Sequence, residues 1–147
     1  MENLKIVLIG DAKVGKTTLV NMLMGKPFSN NYRPTLVVDV FPVIRGNTCF
    51  NIWDCAGDDN YGALSDGHWV GAQGAIVMCD PTNINSIKNV DFWARKFKMM
   101  MGEDIPIVYV INKSDNIPVN FNDPRFIKIS CKNNDNLDRV LMLDEIF

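Results

Sequence analysis

Apolar residues in this chain follow two patterns: short unbroken blocks, and longer stretches in which they recur every third or fourth place. Unbroken blocks read as strands buried on both faces, and stepped stretches as helices with one face inward. The first block, Leu4 to Ile9, predicts a strand, and Leu19, Met22 and Leu23 then place one face of a helix over Lys16 to Met24. Leu36 to Arg45 and Thr48 to Asp54 flank Gly46-Asn47, a two-residue turn signal that makes those strands an antiparallel hairpin. Pro42 lacks a backbone donor, which places the first of the pair at a sheet edge. Ala75 to Cys79 and Ile107 to Ile111 have the look of central parallel strands. Between them Ile87, Val90, Ala94, Phe97 and Met101 mark one face of a long helix. A short strand at Phe126 to Ile129 precedes a weaker helical stretch from Asp135, with Leu137, Val140 and Leu141 inward. The alternation predicts an α/β fold: a mainly parallel six-stranded sheet, one antiparallel edge strand and helices on both faces.

Bulk properties narrow the function without naming it. The 147 residues are one domain's worth, and no linker or repeat divides them. A net charge of −2 with 22% charged residues suggests neither a nucleic-acid surface nor attraction to an anionic membrane. A small molecule or a protein is the better partner. Cys49, Cys55, Cys79 and Cys131 have no C-x-x-C spacing and sit in or beside strand-like runs, as buried thiols of a reducing compartment do. That reading places the chain in the cytoplasm or nucleus; separately, a monomer is expected. No stretch has the length of a membrane span, and the final residues, Asp144 to Phe147, contain no cysteine for a prenyl anchor.

Gly10-Asp11-Ala12-Lys13-Val14-Gly15-Lys16-Thr17 follows the first strand directly and opens the first helix. This is the pattern of a phosphate-binding loop: backbone N–H groups of Asp11 to Thr18 converge on oxyanions at a helix start, Lys16 reaches the terminal phosphates, and Thr17 offers a hydroxyl to Mg²⁺. Four more segments suit a guanine nucleotide. In Asn112-Lys113-Ser114-Asp115, at the end of a strand, an aspartate can accept from both N1–H and the exocyclic amine of guanine, neither of which adenine offers. Asp115 would therefore select GTP over ATP. Asp54 closes the strand before Cys55-Ala56-Gly57, where it can serve Mg²⁺ while Gly57 offers its N–H to a γ-phosphate. Tyr32-Arg33-Pro34-Thr35 supplies a second hydroxyl, that of Thr35, to the metal, and Phe28 can lie edge-on to the base. Ser130-Cys131-Lys132 can hold the guanine carbonyl by backbone N–H groups.

In this combination the chain resembles a small GTPase of the Ras superfamily over nearly its whole length. Asn51 to Gly57, Gly62 to Gly67, Lys88-Asn89-Val90 with Trp93, and Ile105 to Val108 are most similar to the Ran branch. The resemblance implies a guanine-nucleotide switch holding GTP or GDP with Mg²⁺, with Lys16, Thr35, Gly57 and the residue at 58 as the catalytic set. It also implies partners: transport receptors of the importin-β type and an exchange factor. The pattern is broken at Asp58, where the family carries glutamine. A carboxylate is shorter, cannot donate while ionised and brings negative charge towards an anionic γ-phosphate, so slow intrinsic hydrolysis is expected. Ala12-Lys13 replaces the two glycines of Ran-like loops, and the short stretch between Asp115 and Phe126, with Pro118 and Pro124, leaves the family's fourth helix reduced or absent. A rival reading is a non-cycling module that holds GTP or GDP as a scaffold or a competitor of a Ran-type GTPase. A P-loop kinase is the weaker alternative, having no use for a guanine reader. His68 and the three tryptophans read as packing residues, and Met99 to Met101 as core filler.

Overall fold

The computed structural model describes residues 1–26, 28, 38–55, 67–117 and 121–140. Six strands make one sheet: β1 (Glu2–Ile9), β2 (Val38–Arg45), β3 (Thr48–Cys55), β4 (Gly74–Cys79), β5 (Ile107–Ile111) and β6 (Phe126–Lys128). Their order is β2-β3-β1-β4-β5-β6. Every neighbouring pair is parallel except β2 with β3, so the antiparallel strand lies at the edge, where Pro42 has no ladder bond to forfeit. Arg45 pairs with Thr48 around the two-residue turn, and Gly46 takes a φ of 58°, in the left-handed region that the turn requires.

Two separate cores follow from the period-two alternation of β1. Leu4, Ile6 and Leu8 face α1 (Lys16–Leu23), joining Leu19, Val20 and Leu23 together with Ile76 and Met78 of β4. Val7 and Ile9 face the opposite way, towards Val90, Trp93 and Phe97 of a helix on the other side. β4, in the middle, is buried at every position, which accounts for its unbroken apolar run. Helix α1 stops at Gly25, whose φ of 86° turns the chain while Lys26 N–H donates to Asn21 O at 2.9 Å.

Three expectations are revised. The long helix is two pieces, α2 (Ile84–Lys88) and α3 (Val90–Met101), meeting at Asn89. Hydrogen bonds still run across the junction, from Asn89 N–H to Asn85 O and from Trp93 N–H to Asn89 O. The stretch after Asp135 forms a 3₁₀ turn at Leu137–Val140 rather than an α-helix among the described residues, although Leu137 and Val140 are buried as their spacing implies. Met99 and Met100 are exposed, at 79% and 45%, on the solvent side of α3, so they do not fill the core. Between β5 and β6 the described residues hold only a single 3₁₀ turn, Ser114–Asn116, in agreement with a reduced fourth helix.

Candidate functional site

The C-terminal end of β3 and the loops that follow β1, β5 and β6 come together at one end of the sheet. The loop from Gly10 to Gly15 is pressed onto β4: a Cβ added at Gly10 would lie 2.3 Å from the Met78 carbonyl oxygen. Gly15, with φ of 103°, caps the start of α1, and a Cβ there would lie 2.6 Å from Nδ2 of Asn112. Both glycines are thus required by close approach, and Lys13, at φ 67°, completes the reversal between them. Among these loop residues Val14 is fully buried and Thr18 half-buried.

Lys16 folds back across the loop. Its ammonium donates to the carbonyl oxygens of Gly10 at 3.0 Å and Asp11 at 2.7 Å, and the residue is only 6% exposed. Burial holds its pKa below the ordinary 10.5, and the nearby carboxylates of Asp54 and Asp11 push it back up. An anion arriving at the loop would therefore meet a cation that burial has left short of solvation. The Thr17 hydroxyl donates to Oδ2 of Asp54, which is one residue from the end of β3 and completely buried. A hydroxyl and a buried carboxylate side by side are hard oxygen donors of the type Mg²⁺ takes, with phosphate and water completing its shell. The residues present therefore fit this metal.

Asn112 joins three predicted segments. Its Nδ2 donates to Val14 O at 3.3 Å, and its Oδ1 accepts from Cys131 N–H at 3.1 Å. The phosphate loop, the loop after β5 and the loop after β6 thus share one 4% exposed amide. Ser130 lies beside it, 1% exposed, its Oγ accepting from Asn133 N–H at 3.1 Å, and the Cys131 thiol is pushed up to about 12 by burial. Lys132 is exposed, and Phe28 is 36% exposed. Lys113 has a left-handed backbone, φ 55°, and its ammonium pairs with Oδ2 of Asp80 at 2.6 Å. Tyr32, Thr35, Gly57 and Asp58 lie outside the described residues, as does the side chain of Asp115.

Two contributors were not foreseen. Asp80, 3% exposed just after β4, holds Lys113 with one carboxylate oxygen and accepts from the N–H and hydroxyl of Thr82 with the other. Asp11 carries more than a loop amide: its carboxylate accepts from Asn89 and Trp93. An aspartate just after an apolar strand, Cys79-Asp80, was the available signal for the first. The second needs a contact across 82 residues, which spacing does not reveal. An open cleft of about 550 Å³ lies on the α2–α3 side of the loop, beside Asp11 and Ala12.

The sequence model of the family described as Ras of Complex, Roc, domain of DAPkinase matches residues 5–115, from within β1 to the turn that follows β5.

Proposed function

Since the chain belongs to the Roc family of Ras-like GTPase domains, we propose that it is a guanine-nucleotide switch whose GTP and GDP states, with Mg²⁺, are read by protein partners. The observation that carries this reading is the single amide of Asn112 tying the phosphate loop to both loops assigned to the guanine base. Such a joint has a purpose where one ligand spans phosphate and base sites. Lys16, held by two carbonyls and with a further N–H to give, would donate to the β- and γ-phosphates, and the open N-terminus of α1 would add its partial positive charge. Thr17 and Asp54, with Thr35, would hold Mg²⁺, which supplies charge neutralisation between the phosphates. Asp115 would choose guanine, and the loop after β6, whose Cys131 N–H is taken by Asn112 Oδ1, would offer the guanine carbonyl a neighbouring backbone N–H instead.

Hydrolysis is proposed to be slow because Asp58 replaces a donor at the attacking-water position; losing one such transition-state donor lowers rates by ~10²–10³. A single-turnover assay on protein preloaded with GTP tests this, with Asp58→Gln expected to be faster; a variant no faster than the parent sinks it. The Ran-like stretches, Asn51 to Gly57 and Lys88-Asn89-Val90 with Trp93, support Ran-type partners: receptors of the importin-β type and an exchange factor. Asp58 also favours the second reading, a non-cycling nucleotide holder that competes for such partners. Receptor capture by protein loaded with a non-hydrolysable GTP analogue, against GDP-loaded protein, separates them: state-dependent capture supports a switch, and equal capture supports a holder. Competition for the site by ATP as effective as by GTP would remove both readings.

A further inference from the structure

Asp11 is held from two sides. Its carbonyl oxygen accepts from Lys16 at 2.7 Å, as described, while its carboxylate turns outward, with Oδ2 accepting from Asn89 Nδ2 at 2.7 Å and Oδ1 from the Trp93 indole N–H at 2.8 Å. The two donors stand at the α2–α3 junction and in the first turn of α3. Trp93 is 5% exposed and braced by the edge of Phe92, with ring centroids 5.4 Å apart. Both partners are neutral and neither N–H can act as acceptor, so the contact is directional and stays charged on the loop side alone.

The consequence depends on the proposed nucleotide reading and deepens it. In the structure Lys16 grips the loop through the Gly10 and Asp11 carbonyls. With nucleotide bound, that ammonium must serve the phosphates as well, and its three donors are then shared between them and the loop that must keep its amides aimed. The bonds to Asn89 and Trp93 do not involve Lys16 and persist. We infer that Asp11, Asn89 and Trp93 form a positioning strut, anchoring the phosphate loop to α3, that sets how slowly bound nucleotide is released.

The test is stopped-flow release of a fluorescent GDP analogue, chased with excess GDP, for the parent and for Asp11→Asn, Trp93→Phe and their double variant. Hydrogen bonds to charged groups are strong enough that each single change is expected to speed release about tenfold. The double variant should be no faster than the faster single, because both remove the same contact. A loss of general packing would lower the active fraction and leave the release rate constant alone. Met99→Ala, on the exposed side of the same helix, is expected to release at the parent's rate. A second readout is independent of nucleotide. In ¹H–¹⁵N spectra the indole resonance absent from Trp93→Phe should move upfield in Asp11→Asn, while those of Trp53 and Trp69 stay in place. Parent-like release from both single variants, or an unmoved Trp93 indole, overturns the strut while leaving the nucleotide reading intact. If the parent fails to bind the analogue, or Lys16→Ala binds it as well as the parent, the underlying reading falls and takes the strut's role with it.

Discussion

At the residue scale, two glycines in left-handed conformations separate backbone strain from site geometry. Gly46 has φ of 58° and nothing within 4 Å of an added Cβ; Gly15 has φ of 103° and Asn112 at 2.6 Å. Gly46→Ala should cost about 1 kcal/mol, the ordinary penalty for a side chain in that region, and leave nucleotide affinity unchanged. Gly15→Ala should cost about 1–3 kcal/mol from strain and, by displacing Asn112, abolish tight GDP binding as well. Urea midpoints and GDP titrations on the two variants check this; equal behaviour would mean that Asn112 does not register the loop. The buried thiols give a pH signature. Cys55, Cys79 and Cys131 are raised from 9.0 to about 12, all chiefly by burial. The native state keeps protons that the unfolded chain has lost, so their contribution is whole below pH 9 and declines as pH rises towards 12, by about 1.4 kcal/mol per pH unit and thiol. Lys16 works in the opposite sense, since its pKa is lowered, but only up to the ordinary 10.5. Above that value the thiols dominate among the described shifted groups. Urea midpoints measured between pH 10.5 and 11.5 should fall, and fall less steeply for Cys131→Ala; parallel slopes would contradict the assignment.

At the element scale, what could be read from the chain was whatever a local pattern determines. The run Leu4 to Ile9, the hairpin around Gly46 and the buried strand at Ala75 to Cys79 each carry their own signal, and the loop between Gly10 and Thr17 carries the spacing of a strand-to-helix phosphate loop. The split of the long helix at Asn89 was not legible, because what that residue does there is bond to Asp11, 78 positions away. The 3₁₀ turn at Leu137–Val140 shows the same limit: apolar spacing marked the inward residues, but it does not distinguish a short tight turn from an α-helix. Asp80 likewise acts through a tertiary partner. Its pair with Lys113 joins the end of β4 to the turn after β5, and Ser86 Oγ, accepting from Asp80 N–H and donating to its carbonyl at 2.9 Å each, ties that strand end to α2. Asp80→Asn keeps the shape and removes the charge. Lys113 is 44% exposed, so the expected loss of stability is small, about 1 kcal/mol. GDP affinity should drop further than stability does, because the Lys113 backbone sets the loop that carries Asp115. Unchanged GDP affinity in Asp80→Asn would show that the pair is structural only.

At the scale of the whole molecule, the sheet's two faces are packed by different elements, α1 on one side and α3 on the other, and the end where their strands stop is held by side chains from separate loops. Asn112 joins the loops after β1, β5 and β6, Thr17 with Asp54 joins the start of α1 to the end of β3, and Asp11 reaches α3. A ligand that spans these loops binds only when all are in place, which the unfolded chain cannot offer. Its binding energy therefore adds directly to folding stability: at a hundred times its dissociation constant, about 2.7 kcal/mol. For a domain of this size that corresponds to a rise in Tm of about 5–10 °C. GDP with Mg²⁺ should produce that rise, chelating the metal should remove part of it, and ATP at equal concentration should leave Tm where it was. Lys16→Ala should lose the GDP effect while keeping its own Tm near the parent's unliganded value, because the variant deletes a buried cation whose solvation is already poor. A thermal shift of equal size with ATP would show that the loops after β5 and β6 do not read the base, and no shift with either nucleotide would show that the joined loops serve some other ligand.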